Sequence, residues 1–473
     1  MTVTPMRIGA ERVTTADTTV VTSPYDGREI GRVPTATAEH LDAAVAVALE
    51  CHRAGALPAW RRAEILDRAA VVLAERFEEF AQLISAEAAK PLKAARVEAT
   101  RAVDTFRFSA GVARSLAGEV IPMDASSAGT DKVAFTLRVP IGVVGAISPF
   151  NFPLNLVAHK LAPAIAAGCP VVLKPASGTP LTALLLAEVL IDDCGLPPGW
   201  LNVVTAGGKV AEALVDNDDV AMITFTGSPP VGWGIRGRAP RKKVSLELGN
   251  NSPVIVHHDA DVEAAARKIG VAGNAFSGQT CISVQRVFVH ASVAEQFTAA
   301  LVDTVSNLVV GDPADPATDV SALITPGETQ RVKTWVDEAV EAGAALACGG
   351  TLDDNGVLLP TVLTGVTPDM EVCRTEVFGP VLGVATYTDI DDAFALANDT
   401  RYGLQAGVFT SNVSLALRAG RTLDYGGVLI NEVSGFRADQ MPYGGVRDSG
   451  NTKEGPAWAA REMTEERLII LAG

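Results

Sequence analysis

The sequence predicts an α/β protein built on two open, mostly parallel β-sheets, with a small third β element attached. Three observations predict it. At 473 residues the chain is longer than one hydrophobic core serves, so two or three domains are expected. From residue 143 onward, short apolar runs of strand length alternate with helix-length stretches, the pattern of parallel strands covered on both faces. A second such series begins at Val254-Ile255-Val256, which implies a second sheet.

Each element follows in order. Leu41, Ala44, Val45, Ala48 and Leu49 recur at helical spacing behind Thr37, an N-cap residue. Residues 60–117 read as further helices rich in Ala, Arg and Glu. Residues 118–132 carry Pro, Gly and Ser before the apolar run 133–137, so this section reads as a protruding hairpin rather than a core layer. Strands are expected at 143–147, 171–173, 201–204, 222–225 and 244–246, with helices near 156–167, 181–194 and 210–215. The second series places strands at 254–256, 287–289, 379–385 and 428–430. No internal repeat or low-complexity tail interrupts it.

The formal net charge is −16, which argues against nucleic acid or an anionic membrane as partner. The six cysteines (Cys51, Cys169, Cys194, Cys281, Cys348 and Cys373) form no Cys-x-x-Cys pair. A disulfide framework or zinc site is therefore not expected, and a reducing cytoplasm fits best. The histidines show no metal-ligand spacing, and His257-His258 read as the end of a strand. The first residues lack an apolar signal core, and no run of about 18 apolar residues occurs, so no membrane span is expected.

Four stretches carry candidate chemistry. Ser148-Pro149-Phe150-Asn151-Phe152-Pro153 joins a strand to a helix through a stiff turn, which holds the Asn151 amide as a donor for a developing oxyanion. Alone, Asn151 reads first as a turn residue with local backbone bonds. Lys174 ends the next strand, where nucleotides bind in open sheets, or it is a solvated loop lysine. Phe225-Thr226-Gly227-Ser228-Pro229-Pro230-Val231-Gly232 is a strand, a glycine turn and a helix start that attracts phosphate. It is not the G-x-G-x-x-G fingerprint, and two prolines remove two N–H donors, so Ser228 is expected to carry more of the contact. Cys281 follows Gly278-Gln279-Thr280, and Glu247 ends a strand upstream. A thiol, a carboxylate and an amide suffice for nucleophilic attack on an aldehyde, oxyanion stabilisation and activation of water.

These motifs, with Glu376-Val377-Phe378-Gly379-Pro380 and Asn431, occur in an order and spacing that resembles the aldehyde dehydrogenase superfamily from about residue 20 to the C-terminus. The resemblance implies Cys281 as nucleophile, Asn151 with the Cys281 N–H as oxyanion donors, and Glu247 as general base. Members that release an acyl-CoA tend to lack this glutamate, so a free acid is the implied product. NAD or NADP is the implied cofactor, with no metal. Lys174 would contact the adenosine ribose, Ser228 the pyrophosphate, and Glu376 and Phe378 the nicotinamide ribose and ring. Ser148, Pro149, Phe150, Ser177, Thr226, Gly227 and Leu248 complete the implied cofactor set. Ser177 neither binds a ribose 2′-hydroxyl as a carboxylate would nor repels a 2′-phosphate, so NADP is permitted. The family usually has Thr-Glu where this chain has Pro229-Pro230.

The implied domains are a Rossmann-like cofactor domain (1–119 and 140–250), a catalytic domain (251–445) and an oligomerisation element (120–139 and 446–473). The apolar tail at 464–471 would pair with a neighbouring subunit in a homodimer or homotetramer. The stretches 155–160, 281–286 and 436–445 resemble the branch of lactaldehyde, phosphonoacetaldehyde and non-phosphorylating glyceraldehyde-3-phosphate dehydrogenases, whose substrates are small and polar or anionic. Arg107, His159 and Arg437 are the candidate substrate-anion ligands, and Thr280 leaves room beside the nucleophile. A semialdehyde dehydrogenase for a carboxylate-bearing substrate such as succinic semialdehyde is the alternative; a non-catalytic binding protein on the same fold is the remote one.

Overall fold

A computed structural model describes residues 3–472. Its first sheet runs, from one edge, Lys243–Glu247, Val220–Thr226, Val143–Ile147, Val171–Lys174, Leu201–Val203, Met6–Ile8 and Glu11–Val13. The first five strands are mutually parallel and the last two are antiparallel. Strand Val143–Ile147 is buried at every position because helices cover both faces, which is why it reads as an unbroken apolar run. One covering helix, Asn155–Ala167, is buried on all sides, and Gly168 stops it in the left-handed conformation at φ 88°.

The second sheet runs Ala345–Cys348, Thr361–Thr364, Val381–Tyr387, Arg286–His290, Pro253–Val256, Gln405–Phe409 and Gly427–Ile430. All but the first are parallel. The protruding hairpin is a three-stranded sheet in which Thr464–Ala472 pairs antiparallel with the whole of Lys132–Pro140. This leaves Leu468, Ile470 and Leu471 exposed together with Val133 and Leu137.

Several elements differ from expectation. The N-terminal segment supplies two edge strands of the first sheet and a separate hairpin, Thr18–Thr22 with Glu29–Pro34. Strands as short as three residues carry too little alternation to be read. The stretch 181–194 is an α-helix, Leu181–Glu188, continued by a π-turn, Val189–Asp193. The helix expected at 210–215 is confined to Glu212–Asp216, and the strand expected from 379 begins at Val381. Between the two large sheets, the carboxyl ends of the first sheet's strands open onto a crevice, where ligands bind in open α/β sheets.

Candidate active site

Four neighbouring strands of the first sheet end at that crevice. They deliver Ser148 to Asn151, Lys174 to Ser177, Thr226 to Ser228, and Glu247 with Leu248; the second sheet's side contributes Cys281, Glu376 and Phe378. Every catalytic and cofactor position named above lines one cavity of about 900 Å³.

Cys281 sits on a strained loop. Phe276, Ser277 and Gly278 are consecutively left-handed at φ 48°, 55° and 71°, and each non-glycine residue there costs on the order of 1–3 kcal/mol. Gly278 is obligatory for a second reason: a Cβ on it would lie 2.0 Å from the Gly379 carbonyl oxygen. The surroundings hold the loop. Ser277 Oγ donates to the Ser321 carbonyl at 2.8 Å and accepts from its N–H at 3.0 Å. Gln279 Oε1 accepts from the Ile324 N–H at 2.9 Å. Cys281 is half-buried, and Sγ lies 2.8 Å from the Tyr443 hydroxyl. Burial pushes the thiol up to about 12, and the Tyr443 bond acts against that rise.

Asn151 is clamped from two sides. Its Nδ2 donates to the Gln279 carbonyl at 2.9 Å. That engages one of two amide hydrogens, fixes the amide plane and leaves the second available. Below the turn, the buried ion pair Lys90–Glu98 does the rest. Lys90 Nζ donates to the Asn151 carbonyl at 2.6 Å and lies 3.6 Å over the Phe152 ring. Glu98 Oε1 accepts from the N–H groups of Leu154 and Asn155 at 2.9 and 3.0 Å. Nothing in the local sequence announced this clamp, because its two halves come from the loop before and the body of helix Leu92–Ser115.

Glu247 is buried, and neither carboxylate oxygen has a hydrogen-bond partner among the described residues. Burial first, and the nearby Glu454 charge second, raise its pKa well above the ordinary value. Burial would raise Glu454 as well, but Arg437 and then Lys160 outweigh it and hold that carboxyl down at about 2. Arg437 Nη2 donates to Glu454 Oε2 at 2.8 Å, and Lys160 Nζ lies 3.7 Å from Oε1. Glu247, without a hydrogen-bond partner among the described residues and with its pKa raised, is therefore the carboxyl of this cluster suited to take a proton from water.

The remaining lining fits a dinucleotide. Lys174 is 7% exposed, and among the described residues its side chain makes no hydrogen bond or ion pair, so the cavity holds a buried cation facing no acceptor of the protein's own. Ser228 is the N-cap of helix Pro229–Arg238 and uses no side-chain bond for capping. Burial pushes Glu376 up to about 7 although Oε1 accepts from the Asn250 N–H at 3.0 Å. Phe378 is held left-handed at φ 51° with its ring edge-on to Phe150 at 5.9 Å. Arg331 and Gln285 anchor the Val377 carbonyl and N–H at 2.7 and 3.0 Å, which sets the carboxylate and the ring on either side.

The substrate-side candidates sit outside that cavity: none of Arg107, His159, Thr280 and Arg437 lines it. Arg107 is exposed and pairs with Asp104 one turn away at 3.3 Å, on the solvent face of its helix. His159 is buried; Nε2 bonds Asp439 at 2.9 Å, and burial followed by Arg437 lowers its pKa. Asn151 precedes the helix that bears His159, so the two share no helix face. Arg437 is buried against Glu454 and stacked on Tyr443, with its guanidinium carbon 3.8 Å from the ring centre. Thr280 stays half-buried beside the nucleophile. Arg101, which does not line that cavity either, is held in a two-pronged bond by Asp439 at 2.9 and 3.1 Å, 5.9 Å from the Phe152 ring and 21% exposed along its side chain. Arg101, Lys160, Tyr443 and Glu454 were not singled out from the sequence, although Lys160 and Tyr443 lie within the stretches 155–160 and 436–445.

Residues 12–469 match the aldehyde dehydrogenase family. The chain belongs to that family. This dehydrogenase is 47% identical over 465 residues to a 3-sulfolactaldehyde dehydrogenase of Priestia aryabhattai, covering 98% of this chain and 97% of that protein. Among solved structures it resembles an NADP-dependent glyceraldehyde-3-phosphate dehydrogenase from Bacillus halodurans C-125 complexed with NADP (TM-score 0.97, 36% identity, 100% of both chains). It also resembles aldehyde dehydrogenase 21 from Physcomitrella patens in complex with the reaction product succinate (TM-score 0.96, 36% identity, 99% and 98% of the chains). The dehydrogenase is thus an aldehyde-oxidising oxidoreductase on the family fold.

Proposed function

We propose that this dehydrogenase oxidises a small aldehyde carrying an anionic group to its carboxylic acid, with NAD or NADP as cofactor. The observation that carries the reading is the convergence of Cys281, Asn151 and Glu247 on one cavity whose other walls suit a dinucleotide. A bound nicotinamide dinucleotide supplies the hydride acceptor. The protein's residues do the rest. Cys281 Sγ bonds to the aldehyde carbon, and the carbonyl electron pair moves to oxygen, where the free Asn151 hydrogen and the Cys281 N–H stabilise it. Glu247 then takes a proton from water as that water attacks the thioester, and the thiolate of Cys281 leaves. Expected for Cys281→Ala is loss of dehydrogenase and esterase turnover together; esterase turnover that survives places the nucleophile elsewhere.

An anionic substrate is favoured by Arg101, whose Nη1 makes no hydrogen bond among the described residues while Asp439 fixes the rest of the fork. The relatives point the same way, through a sulfonated aldehyde in one case and a dicarboxylate product in the other. Assay of 3-sulfolactaldehyde, succinic semialdehyde, glyceraldehyde 3-phosphate and neutral lactaldehyde with each cofactor tests the class. Arg101→Met is expected to raise KM at least about tenfold for the anionic aldehydes and little for lactaldehyde, the loss of one charge-assisted bond. Equal effects on all four reject an anion site at Arg101.

The exposed apolar strand Thr464–Ala472 supports the oligomer: pairing with a second copy covers Leu468, Ile470 and Leu471. Six unpaired cysteines fit a reducing cytoplasm. No helix among the described residues is long and apolar enough to cross a membrane.

A further inference from the structure

Tyr443 lies in the stretch 436–445, and the mechanism above does not use it. Its side chain is buried in a small apolar cluster with Ile282 and Leu404, against Cys281 and Met441. Phenylalanine would fill that space equally well. The hydroxyl needs its own reason, since a buried hydroxyl without a partner costs about 1–3 kcal/mol. Its one recorded partner among the described residues is Cys281 Sγ at 2.8 Å.

The phenol is held in place by more than packing. Tyr443 and Glu454 exchange two backbone hydrogen bonds, Tyr443 N–H to the Glu454 carbonyl at 2.9 Å and the reverse at 2.5 Å. Glu454 then accepts from Arg437 at 2.8 Å, and the Arg437 guanidinium carbon lies 3.8 Å from the centre of the Tyr443 ring. The next residue, Gly444, is pressed against the general base: a Cβ there would meet Glu247 Oε1 at 2.6 Å. One short bridge thus delivers a phenol to the nucleophile and leaves space for the base beside it.

The direction of the hydrogen bond follows from chemistry. Opposite a neutral thiol, either group can donate. Opposite a thiolate, which only accepts, the phenol must donate, and bonds to an ionised acceptor are roughly twice as strong as neutral ones. The contact therefore favours the ionised sulfur. A guanidinium over the ring face withdraws electron density from the phenol and strengthens the donor.

We propose that Tyr443 is a catalytic residue of this dehydrogenase, donating a hydrogen bond to the Cys281 thiolate, and that Arg437 is the positioning residue that holds the phenol there through Glu454. Ionisation breaks the S–H bond and releases the proton to solvent; the phenol keeps its own. The inference rests on Cys281 being the nucleophile.

The test is the pH dependence of Cys281 alkylation by iodoacetamide in the full-length protein, followed by mass spectrometry of the Cys281 peptide. Tyr443→Phe removes one oxygen atom and is expected to move the midpoint upward by about one pH unit. Alkylation then runs about tenfold slower at pH values well below both midpoints and converges with the wild type above them. The single-turnover rate of cofactor reduction should show the same pH-dependent gap. Arg437→Gln should shift the midpoint in the same direction by less. An unchanged midpoint in Tyr443→Phe, or a slowing by one factor at every pH, reduces Tyr443 to a packing residue and overturns the proposal. Cys281→Ala separates the two readings. If it is inactive while the Tyr443→Phe midpoint is unmoved, the nucleophile stands and the tyrosine role falls; if it is active, both fall.

Discussion

Glu247 shows how placement turns an ordinary side chain into a reagent. A carboxylate at a strand end is usually a solvated charge, yet here both oxygens are buried without a hydrogen-bond partner among the described residues, while Glu454, in the same cluster, is bound to Arg437. Glu247→Gln keeps the shape and removes the base. The expected outcome is a burst of reduced cofactor followed by a stall, with steady turnover lower by about 100-fold or more; an unchanged steady rate takes Glu247 out of the mechanism. The pH dependence follows with its sign. A base works ionised, and burial raises the pKa of Glu247. Thioester hydrolysis should therefore climb with pH well beyond the ordinary carboxylate range before it levels off. Stopped-flow measurement of the acyl-enzyme decay in the wild type, beside a flat Glu247→Gln profile, checks it.

At the scale of elements, the site depends on two devices that hold loops in costly shapes. The first is the left-handed run at Phe276, Ser277 and Gly278. Gly278→Ala meets both the positive φ and the Gly379 carbonyl. It is expected to lower stability by about 2–4 kcal/mol and to cost activity even where the protein still folds; thermal unfolding and kcat together measure this. The second is the ion pair Lys90–Glu98 under the Asn151 turn, whose side chains are 1% and 0% exposed. Lys90→Met leaves Glu98 buried without its counter-charge, for an expected loss of about 3–5 kcal/mol in a denaturant titration. A loss below about 1 kcal/mol would mean that the turn holds itself.

At the scale of the whole molecule, the strand Thr464–Ala472 matters most. It pairs with Lys132–Pro140 along its length and still exposes Leu468, Ile470 and Leu471 on a sheet with a free edge. An apolar edge of that kind invites another chain. Leu468→Glu with Ile470→Glu is expected to shift the protein toward monomer in analytical ultracentrifugation without unfolding it, since both residues already face solvent within one chain. An unaltered sedimentation profile would locate the subunit contact elsewhere.

Much of this was legible from the chain alone. Strand Val143–Ile147 was bounded correctly because a strand covered on both faces is apolar at every position, and the other parallel strands of the first sheet were found by the same pattern; in the second sheet Ala345–Cys348, Thr361–Thr364 and Gln405–Phe409 were not. The turn and loop residues of the cavity were legible because their chemistry depends on local constraints: prolines about Asn151, a glycine before Cys281, a strand end at Glu247. The substrate side was not. Arg107 and Arg101 lie on one helix and look alike in sequence, but the packing of that helix turns one to solvent and delivers the other to Asp439, far along the chain. The role of Lys160 was hidden for the same reason, its partner Glu454 lying far along the chain. A buried charge is defined by the partner that folding brings to it, and no local pattern records a partner hundreds of residues away.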